Sequence, residues 1–314
     1  MRYWNLGVVL ASLALAQPAN AQPGSSQLPQ MLTRTSDRPI LEPRGEDWES
    51  LAVFNPSVIW DGGQYIMLYR AQDQKGVSSI GLAISKDGVT FQREAQPVFS
   101  PDGMAEAGGV EDPRLIKLGD GYLLTYTAYD GRSVAQLQAA TSPDLHRWTR
   151  LGPMLAQSGG TWSKSGAVLA QPLDGLFFMY YGDKVIQLAT SPDARKWTAE
   201  AAPVLSPRPG TWDEGGVEPG PPPILTPRGI LLIYNGRDRN NVYAVGAALL
   251  DPGDPAHVLA RSETPILKAE RPYELRGTVP NVVFVEGMVW KSGQLEVWYG
   301  GGDRVIGRAV VKWP

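Results

Sequence analysis

Residues 108–131 read GGVEDPRLIKLGDGYLLTYTAYDG. In this stretch a polar motif, VEDPRLI (110–116), enters one strand. A second apolar segment, LLTYTAYD (123–130), ends in an aromatic-rich cluster and an aspartate. The second half recurs as IMLYRAQD (66–73), FFMYYGD (177–183), LLIYNGRD (231–238) and EVWYGGGD (296–303). The terminal aspartates Asp73, Asp130, Asp183, Asp238 and Asp303 are separated by 57, 53, 55 and 65 residues. The entry motif recurs as FNPSVIW (54–60), SKSGAVL (163–169), VEPGPPPIL (217–225) and VPNVVFVEG (279–287). With Asn55, Asp112, Ser165, Glu218 and Asn281 as markers, the following aspartate comes 18, 18, 18, 20 and 22 residues later. A third element, a strand with a Ser-x-Asp turn, an aromatic and a second strand, follows at 83–99, 140–155 and 189–205, with a looser version at 248–267.

Self-similarity at a fixed period marks a repeat architecture. Three or four short strands repeated five times predict an all-β, five-bladed β-propeller over residues 51–314. A two-sheet sandwich has no reason to produce five in-phase units. Residues 22–50 read as an extended lead-in that helps close the ring, because the last copy ends in one strand, VIGRAVVKW (305–313).

Composition agrees. The 314 residues include 35 Gly and 27 Pro, about a fifth of the chain, and both disfavour helix interiors. A long helical bundle is therefore excluded. With 43% hydrophobic residues and 10 Trp the chain can build a core, so disorder is excluded as well. A formal charge of −3 offers no basic stripe for nucleic acid. There is no cysteine, which removes disulfides, thiolate metal sites and a thiol nucleophile. Only His146 and His257 are present, leaving the 32 acidic residues as the main source of acid–base chemistry. No cofactor is expected, and no ligand spacing calls for a metal.

The N-terminus carries a leader pattern. Arg2 precedes an apolar run, LGVVLASLAL (6–15), and Ala19-Asn20-Ala21 offers a small-x-small cleavage site. The run is too short to span a bilayer. The expectation is a signal peptide over 1–21 and a periplasmic or secreted protein without a membrane anchor.

In a propeller the loops entering the innermost strands meet at one mouth. That expectation gathers Asn55, Glu111, Asp112, Lys164, Glu218 and Asn281 around one pocket. Arg70, Asp73, Asp183, Asp238 and Asp303 come in from the ends of the second strands. Carboxylates beside Arg and Lys suit a polyhydroxylated ligand, and glycosidic cleavage typically uses two carboxyl groups. Tyr126, Trp162 and Trp212 are candidates to stack on sugar faces. Asp130, Asp183 and Asp238 read better as turn residues that bond backbone N–H groups. A lectin would repeat its binding residues in each blade. Here the mouth motifs differ (NPS, EDP, SKS, EPG, PNV), which favours one asymmetric site, an enzyme.

These residues resemble glycoside hydrolase family 130, the β-mannoside phosphorylases and β-mannosidases. The resemblance runs through GGVEDPRLIKLGDGYLLTYTAYDG, FNPSVI, YRAQD, WSKSGAV, VEPGPPPILTPRGILLIYNG, YAVGAALLDPGDP and YGGGD, nearly all of the chain after residue 50. It implies a five-bladed propeller, an oligosaccharide substrate and an inverting mechanism on β-mannosides. Asp112 would be the proton donor, acting through the sugar 3-hydroxyl. Asn55, Arg70, Lys164 and Asp303 would bind mannose, with Glu111 and Arg114 orienting the acid.

The family divides on its nucleophile. The histidine of the phosphorylases' Tyr-His-Gly motif is replaced in Tyr234-Asn235-Gly236. Glu218 stands where phosphorylases commonly carry a small residue, and a carboxylate repels phosphate. Release of a sugar phosphate outside the cell also argues against phosphorolysis. The expectation is therefore hydrolysis, with Glu218 as base and Glu274 as the second candidate. Phosphorolysis is the alternative, because Lys164, Arg70 and Arg132 remain to meet phosphate.

Overall fold

The computed structural model describes residues 28–155 and 162–314. The leader expected over 1–21 lies outside these residues, as does the start of the lead-in. The described chain is all-β. Its helical content is a 3-10 turn at Met104–Glu106 and a single helical turn at Pro272–Leu275.

Five antiparallel meanders follow one another. The first is Ala52–Asp61, Gln64–Gln72, Ser78–Ser85 and Gln92–Arg93. The second is Gly109–Leu118, Gly121–Tyr129, Ala135–Ser142 and Thr149–Pro153. The third is the shortest, with Ala167–Val168, Phe177–Tyr181, Gln187–Ser191 and Thr198–Ala199. In the fourth, the inner edge is split into Gly216–Pro219 and Ile224–Thr226, both paired with Gly229–Arg237. Tyr243–Asp251 comes next, flanked by Asp254–Arg261 and Leu267–Lys268. The fifth runs Val283–Lys291, Gln294–Gly301 and Val305–Lys312, and its outer strand is Thr33–Arg34 from the lead-in. The chain's two ends therefore share one meander, and Leu41 bridges Ile306 behind the pair.

Neighbouring meanders are tied through their inner halves. Leu115 N donates to Ser57 Oγ at 2.9 Å, Thr125 Oγ1 donates to Gly166 O, and Val217 N donates to Lys184 O. Asn235 binds both backbone groups of Val285, at 3.0 and 2.8 Å. These contacts link first to second, second to third, third to fourth and fourth to fifth. At Gly287 a Cβ would lie 2.8 Å from Pro56 O, so the fifth meander closes against the first.

A second regularity lies within the meanders. The tyrosine of each second strand (Tyr69, Tyr126, Tyr180, Tyr234, Tyr299) is fully buried and in register with Gly81, Gln138, Leu188, Gly246 or Gly307. A Cβ at Gly246 would sit 2.5 Å from the Tyr234 ring, so the glycine makes room for it. A buried phenol needs a partner. Tyr69 donates to Glu49, Tyr126 to Glu106, Tyr234 to Asp213 and Tyr299 to Glu274, while Tyr180 uses the carbonyl of Pro255. Each of these carboxylates is in turn paired with arginine: Glu49 with Arg44 and Arg93, Glu106 with Arg150, Asp213 with Arg208 and Arg261, Glu274 with Arg34.

The Ser-x-Asp elements are turns, as expected. Ser85/Asp87, Ser142/Asp144 and Ser191/Asp193 accept backbone N–H groups in the same pattern. One residue on, Gly88, Leu145 and Ala194 adopt positive φ.

Candidate active site

The inner strands are interrupted where they carry chemistry. In the first meander the register shifts between Phe54 and Pro56, and in the second between Glu111 and Arg114. A β-bulge re-aims the side chain at the break. Asn55 (φ 47) and Asp112 (φ 52) take the left-handed conformation there, as does Ser165 (φ 61) in the third meander. Asn and Asp tolerate that region better than most residues. The bulges turn both side chains into one cavity of about 330 Å³, also lined by Arg70, Lys164, Glu218 and Asp303.

Asp112 Oδ1 accepts hydrogen bonds from Asn55 Nδ2 at 2.8 Å and Arg70 Nη1 at 3.0 Å. Arg70 Nη2 reaches Glu111 at 2.7 Å, so one guanidinium clamps both adjacent carboxyls. Burial pushes the Asp112 carboxyl up. Arg70, Lys164, the Asn55 hydrogen bond and Arg114 outweigh it, holding Asp112 well below the usual carboxylate range. Glu111 moves the other way, raised by burial and by Asp112 against Arg70 and Lys164. Glu218 is raised to about 7, mainly by burial, with Lys164, Arg114 and the Ser165 hydroxyl opposing. Asp303 is raised to about 6, again first by burial. Of these four carboxyls, the surroundings favour the ionised form at Asp112 and shift Glu111, Glu218 and Asp303 toward the protonated form.

Lys164 sits among these groups, with Asp112, Glu111 and Glu218 raising its pKa against the cost of burial. Its Nζ has no carboxylate at ion-pair distance among the described residues, and lies 5.3 Å from the Trp162 ring centroid. Arg114 is different. It is fully buried, donates to the carbonyls of Pro219 and Gly220 at 2.7 Å, and lies 2.9 Å from Glu286 Oε1. It therefore ties the strand bearing Asp112 to the strand bearing Glu218. Burial keeps Glu286 well above the usual carboxylate range, with Arg114 opposing.

Seven of the eleven residues expected at the mouth thus come together: Asn55, Arg70, Glu111, Asp112, Lys164, Glu218 and Asp303. Glu274, the second candidate base, does not join them. Its carboxylate is fully buried on Arg34, Tyr299 and the backbone N–H groups of Glu270 and Arg271. Those bonds hold its pKa low despite burial, and it belongs to the tyrosine–carboxylate set described above. Asn281 also misses the cavity, and its carbonyl accepts from Tyr243 N instead. Asp73, Asp130 and Asp238 bind the N–H groups of their own turns, while Asp183 accepts from Trp162 Nε1. Arg132 is exposed and outside the cavity. Tyr126 is buried on Glu106, and Trp212 stacks on Tyr234. Asn235, where a histidine was sought, is also absent from the cavity lining, because its amide serves Val285. Sequence reasoning missed Phe54, Asn241, Tyr243, Val279, Val282 and Phe284. Phe54 and Val282 stand beside the markers Asn55 and Asn281, Val279 and Phe284 lie in the fifth entry motif, and Asn241 and Tyr243 fall outside every repeat motif.

The family model for glycoside hydrolase family 130, described as β-1,4-mannooligosaccharide phosphorylase, matches residues 32–313. The chain is 40% identical to a 1,2-β-oligomannan phosphorylase of Thermoanaerobacter sp. (strain X514), over 90% of this chain and 97% of that one. It is 38% identical to a β-1,2-mannobiose phosphorylase of the same organism, again over 90% and 97%. One solved structure superposes with a TM-score of 0.84 at 32% identity, covering 93% of this chain and 96% of the other. It is described in work stating that the GH130 family of mannoside phosphorylases contains glycoside hydrolases that target β-1,2 mannosidic linkages in Candida mannan. The match spans every meander and the whole cavity, and the chain belongs to glycoside hydrolase family 130.

Proposed function

We propose that this protein cleaves β-1,2-linked mannosides by phosphorolysis, releasing mannose 1-phosphate with inversion. The full-length likeness to two phosphorylases, at 40% and 38% identity, carries this reading over the hydrolysis expected from sequence. Of the three sequence arguments against phosphate, the missing histidine at Asn235 and the leader pattern stand, and the raised pKa of Glu218 bears only on the third. Burial raises Glu218 to about 7, and in its protonated form the carboxyl can donate a hydrogen bond to an anion. Lys164, without a close carboxylate partner among the described residues, supplies the positive charge. In this reading the five meanders are the blades of a propeller, closed by Thr33–Arg34. The leader pattern is the basis for a periplasmic or secreted location, and that location weighs toward the hydrolytic reading below.

The mechanism follows from the pocket. Asn55, Arg70, Lys164 and Asp303 hold the terminal mannose by its hydroxyls. A phosphate oxygen attacks the anomeric carbon from the face opposite the departing oxygen. The C–O bond to the aglycone breaks, and the departing oxygen takes a proton from the sugar 3-hydroxyl, which is resupplied by Asp112. Asp112 must gain that proton in the complex. A bound sugar excludes water and takes over bonds from Asn55 and Arg70, and both changes raise the Asp112 pKa.

A second reading keeps water as the nucleophile. The specific observation favouring it is Glu218 itself, a buried carboxyl in the same cavity as Asp112 and able to act as base once ionised. The two readings separate when the protein is incubated with β-1,2-mannobiose with and without phosphate. Phosphorolysis gives mannose 1-phosphate only when phosphate is present, whereas hydrolysis gives two mannoses in either buffer.

A further inference from the structure

A second cavity, of about 350 Å³, adjoins the catalytic one and shares Lys164 with it. Trp162 forms part of its lining and is half exposed, although burying an indole is strongly favourable. The ring is nonetheless fixed. Its Nε1 donates to Asp183 Oδ2 at 2.6 Å, and the backbone is anchored by a bridge to Ala135 and by Ser163 N donating to Ala135 O at 2.9 Å. Around it stand Lys164, Asp183, Lys184 and Gln187, offering both donors and acceptors.

We propose that this second cavity is a subsite for a further pyranose unit of the oligosaccharide, with Trp162 as its stacking platform. The inference rests on the mannoside reading given above. A pyranose presents C–H groups on its face and hydroxyls at its rim. A fixed, exposed aromatic ring with polar groups around it matches that pattern. With Lys164 and Lys184 beside Asp183 the lining carries both signs, so the hydroxyls of a sugar meet donors and acceptors alike. Lys164 touches both cavities, so a chain cleaved in the first has a continuous path into the second. The device selects for chain length: a disaccharide fills the catalytic pocket, and a trisaccharide or longer chain also reaches Trp162.

The test is kcat/KM for β-1,2-linked mannobiose, mannotriose and mannotetraose with the wild type, Trp162→Ala, Trp162→Phe and Gln187→Ala. Trp162→Ala is expected to lower the triose-to-biose ratio about tenfold, mainly through KM, which corresponds to about 1.4 kcal/mol. Trp162→Phe should keep most of the ratio, and Gln187→Ala should lower it in the same direction. A ratio near one in the wild type, or a ratio unchanged by both Trp162→Ala and Gln187→Ala, overturns the subsite alone. Failure of the wild type to cleave any member of the series overturns the mannoside reading and the subsite with it.

Discussion

Asp112 and Glu218 come from two copies of one repeat and enter one cavity, yet their surroundings move them in opposite directions. Asp112 is held ionised by Arg70, Lys164, Asn55 and Arg114 against burial, while burial prevails at Glu218 and raises it to about 7. Asp112→Asn keeps the shape and its bond from Arg70 is lost as an ion pair; turnover should fall by at least about 10²–10⁴-fold, the usual worth of a general acid. Full activity in that variant would remove Asp112 from the mechanism. The sign at Glu218 separates the two nucleophiles. If phosphate binds beside the protonated carboxyl, kcat/KM for phosphate falls as pH rises through about 7, and Glu218→Gln flattens that fall. If Glu218 is a base toward water, the rate rises through the same window and Glu218→Gln abolishes it. Stability follows the same pKa. A carboxyl raised in the folded state binds its proton more tightly there, so its contribution is lost as pH climbs from about 4.5 through about 7. Glu218→Gln should therefore raise Tm at pH 8, by up to about 3 kcal/mol of stability. Most of this site was legible because Asn55, Asp112 and Glu218 hold one phase in three copies. The pKa values were not, since they depend on burial and on Arg114, whose contacts lie about a hundred residues away in sequence.

The meander explains why one catalytic candidate lies outside the cavity. Glu274 lies in PYELRG, outside any repeat motif, and sequence alone offers no reason to distinguish it from a second base. In the fold it is the fifth meander's version of Glu49, Glu106 and Asp213: a buried carboxylate between a second-strand tyrosine and an arginine. Removing one member of such a buried pair costs about 3–5 kcal/mol. Glu274→Ala should lower Tm markedly while kcat per folded molecule stays near the wild-type value. A large loss of kcat with unchanged Tm would return Glu274 to the catalytic set. Gly246→Ala tests the same unit from the other strand, because its methyl meets the Tyr234 ring and overpacking costs about 1–3 kcal/mol. The fifth copy also shows where phase reading ends. Asn281 was matched to Asn55, but the fifth inner strand begins at Val283 and breaks register between Val285 and Gly287, around the buried Glu286. A bulge shifted by a few residues changes which side chain turns inward, and nothing in VPNVVFVEG announces it.

The whole molecule depends on its two ends meeting. Thr33–Arg34 completes the fifth meander, Leu41 bridges Ile306, and Arg34 is the partner of Glu274. The lead-in's closing role was readable from a last copy one strand short; its register was not. Removing residues up to 41 should lower Tm far more than removing residues up to 27, and thermal unfolding of the two truncations checks this. Equal stability would mean that the fifth meander stands without its outer strand. At this scale the repeat lays down five similar units, and the differences among their inner strands bring Asp112, Glu218, Lys164 and Asp303 together in one cavity. What that cavity does is decided most directly by the products formed from β-1,2-mannobiose in the presence and absence of inorganic phosphate. Phosphorolysis requires mannose 1-phosphate and mannose in equal amounts, only when phosphate is supplied. Two free mannoses at the same rate in phosphate-free buffer would contradict it.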